Sequence, residues 1–331
     1  MRFIMIFLLS LVLSCSENSY DILIKNATVI DGSGGQRYQA DVAIHQSKIV
    51  KISPHIKGTA KRIIDAQGLI VSPGFIDMLS WACGPILYNS YVPSVVRQGI
   101  TTAVFGEGWS MGPINHNVRR AFRHWWQEYH LKYNWKTLYE YLHVVEDKGT
   151  AINIASYVGA TTLRLYVVGF ENRPPTKPEL DEMKRLLRAE MEHGALGLAS
   201  SLVYAPAFYA STDELVELAK VAAEYGGVYA SHIRSEGNEL LDGLKEFIQI
   251  CQKAHIRGEW YHAKAAGKNN WQKLDSALTL IRNAQEHGIP ITADIYPYKG
   301  GYRAFRNHSA MGQRGRRFGS DQTPKDTCRS S

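Results

Sequence analysis

After Pro73 the sequence alternates short apolar runs with amphipathic stretches, and it does so seven times. The runs FIDML, TTAVFGE, INIASYVG, LGLASSLVY, GVYASHI, EWYHAK and ITADIYPY have strand length and are rich in β-branched and aromatic residues. Helical patterns separate most of them. Thr176-x-x-Glu179, with Pro178 in the first turn, has the form of a capping box opening a helix toward Glu192. Ser211-x-x-Glu214 opens another, which Gly226 and Gly227 close. Repeated β-then-α units bury their apolar strands in a parallel sheet, and seven in succession predict a (β/α) TIM-like barrel over residues 72–301. A closed barrel needs eight strands. Residues 302–331 show neither strand nor helix period, so strand 8 is expected to be missing and the tail to be disordered or out of frame.

Upstream, residues 20–71 have a different rhythm. DILIKNATVIDGSGG, ADVAIHQSKIVKI and RIIDAQGLIVSPG carry apolar residues at period two between Gly and Asp-Gly punctuation, which predicts a small β-sandwich. The expected fold class is therefore α/β, an incomplete barrel behind an N-terminal β-sandwich. Residues 1–19 read as a targeting segment. Arg2 precedes an apolar core from Phe3 to Leu13 that is too short to span a bilayer, and VLSC followed by SENS resembles a bacterial lipobox with Cys15 as the lipidated residue. Export to the periplasm or cell envelope follows, with contact to the membrane only through the lipid anchor. The remaining Cys83, Cys251 and Cys328 have no paired spacing, which argues against a disulfide framework or a cysteine metal site. The net charge of +7 does not indicate a nucleic-acid partner. Residues 302–331 hold seven basic residues against two aspartates, a net +5, which leaves only +2 for the body of the chain.

In a barrel of this kind the loops following the strands build the active site, so polar residues at the C-terminal strand ends are the first candidates. Three stand out: Glu107 after TTAVF, His232 in VYASHI, and His262 in EWYHAK. A single histidine on a strand is more often a satisfied core residue than a ligand. Two at neighbouring strand ends, with a carboxylate at a third, form a donor set that binds catalytic zinc and leaves a position open for water. Gly106 and Gly108 flank Glu107 and permit a tight turn there.

The chain resembles the N-acyl-D-amino-acid deacylase (D-aminoacylase) family of the amidohydrolase superfamily. The resemblance is carried by DGSGG and ADVAI, GLIVSPGFID, GITTAVFGEGWSMGP, GALGLASSLVYAPAFYAS, GGVYASHIRSEG, HAKAAG and ADIYPY, spread over residues 21–300. It implies hydrolysis of the amide bond of a small N-acyl-D-amino acid, or a related amide or D-dipeptide, by a metal-activated water. It assigns the metal to Glu107, His232 and His262, with zinc ahead of manganese. Many relatives carry a cysteine at the position of Glu107. By the same resemblance Lys264, Tyr296 and Arg234, and Tyr298 after them, contact the substrate. Leu79 and Trp81 stand where the family's His-x-His pair holds a second metal, so one ion is expected. The family's general acid/base aspartate of strand 8 has no counterpart; Asp321 in GSDQ follows strand 7 too closely and lacks an apolar strand before it. Two alternatives stay open. One is an impaired remnant that binds metal and ligand without turnover. The other is a cyclic-amide hydrolase of the dihydroorotase type, against which the missing His-x-His pair counts.

Overall fold

The computed structural model describes residues 19–128 and 134–297. Cys15, Tyr298, Cys328, Asp321 and the tail lie outside the described residues. The chain divides into two compact units, the first ending at Phe75 and the second starting at Ile76.

The first unit is one mixed five-stranded sheet among the described residues. Its strands are β1 (Ser19–Val29), β2 (Tyr38–His45), β3 (Lys48–Ser53), β4 (Thr59–Asp65) and β5 (Ile70–Val71). The order is β3-β2-β1-β4, with β5 also beside β1; β1 runs antiparallel to β2 and parallel to β4 and β5. The period-two alternation sends alternate residues to opposite faces. Leu23 and Ala43 pack with Tyr20 and Ile56 in one cluster, while Ala27, Val29, Ala40 and Val42 pack with Ala66 in the other; alternation separates Ala43 from Ala40 and Val42 on β2, and a register shift between Ile24 and Ala27 separates Leu23 from Ala27 and Val29 on β1. The stretch ADVAIHQSKIVKI is a hairpin of β2 and β3. Gln46 and Ser47 both adopt positive φ (48° and 63°), and the Gln46 amide donates to Asp21 at 2.7 Å. Two left-handed residues in succession match the right-handed twist of the flanking strands.

Seven strand positions follow: β6 (Phe75–Asp77), β7 (Ile100–Phe105), β8 (Asn153–Ser156) continued after Tyr157 by β9 (Val158–Gly159), β10 (Gly197–Ser201), β11 (Val228–His232), β12 (Arg257–Trp260) and β13 (Ile291–Ala293). They lie in sequence order, β6-β7-β8 and β9-β10-β11-β12-β13, and β7–β8 and each neighbouring pair from β9 to β13 run parallel. This is the β/α-barrel arrangement read from the sequence. Alternation again sorts the side chains. Val104, Tyr157, Ala199, Ala230 and Tyr261 form one buried cluster, which Leu79 joins. Phe105, Leu198, Tyr229 and Trp260 face the opposite way, into the large core shared with the helices.

The helix Lys177–Glu192 starts on the expected capping box, with both the Thr176 and Glu179 bonds made. At Ser211 only half of the box forms. Ser211 accepts from the Glu214 amide at 3.1 Å, while the Glu214 carboxylate turns to the fully buried Arg164 at 2.7 Å. A buried guanidinium needs a carboxylate more than a helix N-terminus needs a second bond.

Candidate metal centre

Register brings the ends of β7, β11 and β12 together. Ser201 on β10 pairs with His232, and Ser231 with Trp260, so His232 at the end of β11 stands beside the turn that carries His262. Glu107 sits two residues beyond β7 between glycines at positive φ, +109° for Gly106 and +71° for Gly108. Both also lack room for a side chain. A Cβ on Gly106 would lie 2.5 Å from the Tyr157 carbonyl oxygen, and one on Gly108 would lie 2.7 Å from the Ser201 amide nitrogen. Ser201 Oγ also donates to the Glu107 carbonyl at 3.1 Å. The carboxylate is thus aimed by two turns that only glycine allows. Gly108→Ala combines a left-handed backbone with a backbone clash and is expected to cost about 3 kcal/mol or more, measurable as a lowered midpoint in urea unfolding.

Three atoms converge. Glu107 Oε1 lies 2.8 Å from His232 Nδ1 and 3.3 Å from His262 Nε2, and the two nitrogens are 3.1 Å apart. Ligands at about 2.0–2.1 Å from a tetrahedral ion are separated by about 3.3 Å, so the spacing fits a cation of that size. Among the described residues this is the group of acidic, histidine and cysteine side chains arranged to hold a metal.

Behind the histidines lies Glu236, 3% exposed and four residues after His232. Its Oε1 is 2.6 Å from His262 Nδ1 and 3.6 Å from His232 Nε2, a buried nitrogen with no hydrogen-bond partner. Each imidazole therefore turns one nitrogen to the centre and the other toward one carboxylate. At His262 the contact is of hydrogen-bond length, the way carboxylates orient metal-binding histidines and fix their tautomers; at His232 it is not. Lys264 donates to the same Glu236 oxygen and lies 3.0 Å from His262 Nδ1. His262 has a left-handed backbone (φ +40°), and its amide donates to Asp294 Oδ1 at 2.5 Å, just past β13. A non-glycine residue in that region persists only where its surroundings impose it.

The charges follow. Burial alone would raise the Glu107 carboxyl, but hydrogen bonds from His232 and His262 outweigh it and bring the group down to about 2. Burial opposes charge on His262 too, yet its bonds to Glu107 and Glu236 push it up to about 9. His232 moves the other way, because burial there outweighs the bond to Glu107. Glu236 is held well below the usual carboxylate range; burial would raise it, but His262, His232 and Lys264 together prevail. Two carboxylates thus face one ammonium, and a proton on His262 balances the remaining negative charge. The donor set suits a divalent cation in place of that proton.

The other residues expected at the substrate separate. Lys264 sits at the centre's edge with the Tyr296 ring 5.5 Å from its Nζ. Arg234 does not face the centre. Its guanidinium makes two bonds to Glu246 at 2.8 and 2.9 Å and donates to the carbonyls of Phe208 and Ala210 at 2.8 and 3.0 Å. Its three nitrogens are taken up in tying that loop to the helix Leu240–Ala254, so it is a structural clamp rather than a substrate ligand. Sequence reasoning passed over Glu236, Asp294 and the donor role of Trp81, whose indole Nε1 donates to Glu107 Oε2 at 2.7 Å. Only Glu236 left a local signal, a carboxylate four residues after a candidate ligand.

No family model matches the sequence. D-aminoacylase of Alcaligenes xylosoxydans xylosoxydans is 30% identical over 283 residues, 85% of this chain and 58% of the relative. Over this span the chain is similar to D-aminoacylase. N-acyl-D-glutamate deacylase of Bordetella bronchiseptica, solved with zinc and a phosphonate mimic of the tetrahedral intermediate, superposes with a TM-score of 0.76 at 30% identity, covering 85% of this chain and 59% of that one. A D-aminoacylase structure described by its binuclear metal centre, with one-metal activation and second-metal attenuation, superposes at 0.74, also at 30% identity and covering 84% and 59%. The chain therefore spans just under three fifths of the length of the relatives it matches.

Proposed function

We propose that the protein is a metal-dependent amidohydrolase that cleaves the amide bond of N-acyl-D-amino acids, with one zinc ion held by Glu107, His232 and His262. The observation that carries this reading is the convergence of those three side chains from strand ends up to 155 residues apart, with Glu236 behind both histidines. The zinc of the N-acyl-D-glutamate deacylase structure and the acyl-D-amino-acid specificities of the relatives support it. When bound, the ion supplies a Lewis acid for the scissile carbonyl and lowers the pKa of a bound water to about 7.

The chain's own residues organise the rest. Glu236 holds the His262 ring through Nδ1, and Asp294 holds its backbone, so Nε2 keeps one direction. Lys264, with three N–H donors of which Glu236 and the His262 carbonyl take two, is assigned the substrate carboxylate through the third, with Tyr296 beside it. The reading extends to export. Arg2, the apolar core Phe3–Leu13 and the lipobox-like VLSC support lipidation at Cys15. Among the described residues no helix is long and apolar enough to cross a membrane.

The test is release of free amine from N-acetyl-D-amino acids against their L-enantiomers, with the zinc-loaded protein. D-selective hydrolysis that a chelator abolishes is expected; a zinc-loaded protein that leaves both enantiomers intact overturns the reading. Metal binding should also be pH-dependent with a definite sign. His262 must lose its proton to ligate and is held up to about 9. Binding at pH 7 is expected to release roughly one proton, and apparent affinity to rise about tenfold per pH unit before levelling off near pH 9. Isothermal titration in buffers of different ionisation enthalpy measures both.

A further inference from the structure

The outer oxygen of Glu107 raises a question that the three ligands leave open. Oε1 faces both imidazoles, whereas Oε2 accepts the indole N–H of Trp81 at 2.7 Å. Local structure explains how a residue 26 positions away reaches it. The Ser80 amide donates to the Val104 carbonyl at 2.8 Å, which carries the β6–β7 pairing past Asp77, and Leu79 is fastened in the cluster of Val104, Tyr157 and Ala230. The next residue on the same side of the chain is Trp81, and it emerges beside the turn that bears Glu107. Trp81 is 48% exposed, so burial alone does not hold it there.

An indole nitrogen is a donor and has no lone pair for a metal. We propose that Trp81 is a positioning residue that sets the denticity of Glu107: by holding Oε2 it leaves only Oε1 for a cation, and so restricts the centre to one ion. The proposal rests on the metal centre described above. A second cation on Oε2 would have to displace the indole and would find no donor atom on Leu79 or Trp81. The indole also prevents the carboxylate from rotating into a two-oxygen grip that would occupy the position needed by water.

Zinc(II) and cobalt(II) titrations of the full chain test this. The proteins to compare are wild type, Trp81→Phe, the chain with benzothienylalanine at position 81, Glu107→Ala, and Glu107→Cys with and without Trp81→Phe. Benzothienylalanine keeps the bicyclic shape and replaces N–H by sulfur, so it isolates the hydrogen bond even where phenylalanine disturbs folding. Both changes at position 81 are expected to raise the dissociation constant about tenfold to a hundredfold. They are also expected to weaken the visible absorption of bound cobalt, as a two-oxygen carboxylate raises the coordination number. In the Glu107→Cys background, where the ligand has a single donor atom, Trp81→Phe is expected to change nothing further. Unchanged affinity and spectrum in both position-81 proteins, with metal lost in Glu107→Ala, overturn the role of Trp81 and leave the metal centre standing. An equal loss in the glutamate and cysteine backgrounds also overturns it, because the effect then does not pass through Oε2. Wild-type affinity in Glu107→Ala overturns the metal centre itself, and the proposal with it.

Discussion

Glu107→Ala is expected to leave the protein without bound zinc at stoichiometric metal and to reduce the proposed amide hydrolysis to below about one per cent of wild type. Glu107 is the anionic member of the three, so its removal leaves two neutral imidazoles to hold a doubly charged ion. The loss extends to its surroundings. His232 Nδ1 and the Trp81 indole lose the oxygens they face at 2.8 and 2.7 Å, and His232 is 4% exposed. Breaking one partner of a buried charged arrangement costs about 3–5 kcal/mol, and about 4 kcal/mol corresponds to roughly a thousandfold in affinity. Competition against a chromophoric chelator measures the affinity, and circular dichroism establishes that the variant is folded. Zinc retained at wild-type affinity would place the ion elsewhere.

Glu236→Gln should produce the second largest effect, without touching any atom that faces the ion. The change is nearly isosteric, yet it removes the charge that pairs with Lys264 and that holds His262 protonated at neutral pH. Metal affinity is expected to fall about tenfold to a hundredfold. The sign of the accompanying pH change is definite. With one of its two carboxylate partners neutralised, His262 returns toward its ordinary range, so the pH at which affinity levels off moves down from about 9. The protein also loses about 3 kcal/mol of stability, since Lys264 keeps its charge in a partly buried position without a countercharge. A pH series of zinc titrations reads the first effect and urea unfolding the second. An unchanged plateau near pH 9 would show that Glu107 alone holds up His262.

Local physics accounts for most of what the sequence revealed. Seven strand positions were readable because apolar side chains recur at strand period and helix period in turn, and both periods are properties of neighbouring residues. The Thr176–Glu179 box was readable for the same reason, since both its bonds close within one helical turn. Glu107, His232 and His262 were legible as strand-end residues once a barrel was expected, because the fold places all such ends on one side. The Gln46–Ser47 turn was not, as neither residue is one of those that commonly accept a left-handed backbone; the twist of two paired strands imposes it.

Roles that depend on a distant partner belonged to the tertiary structure. Arg234, two residues from His232, has the type and position of a substrate ligand, and only its surroundings show it tied to Glu246 and two carbonyls. Trp81 reads in sequence as the loss of a ligand, while in the fold it is a donor to one. Glu214 leaves its capping box for a guanidinium 50 residues away. The sequence by itself determined the elements and the chemical types at the centre. Which oxygen of Glu107 faces the imidazoles, which carboxylate orients His262 and which cation stands at the centre's edge were decided only when the parallel sheet brought together strand ends up to 155 residues apart, because hydrogen bonds are short-ranged and their partners are chosen by packing.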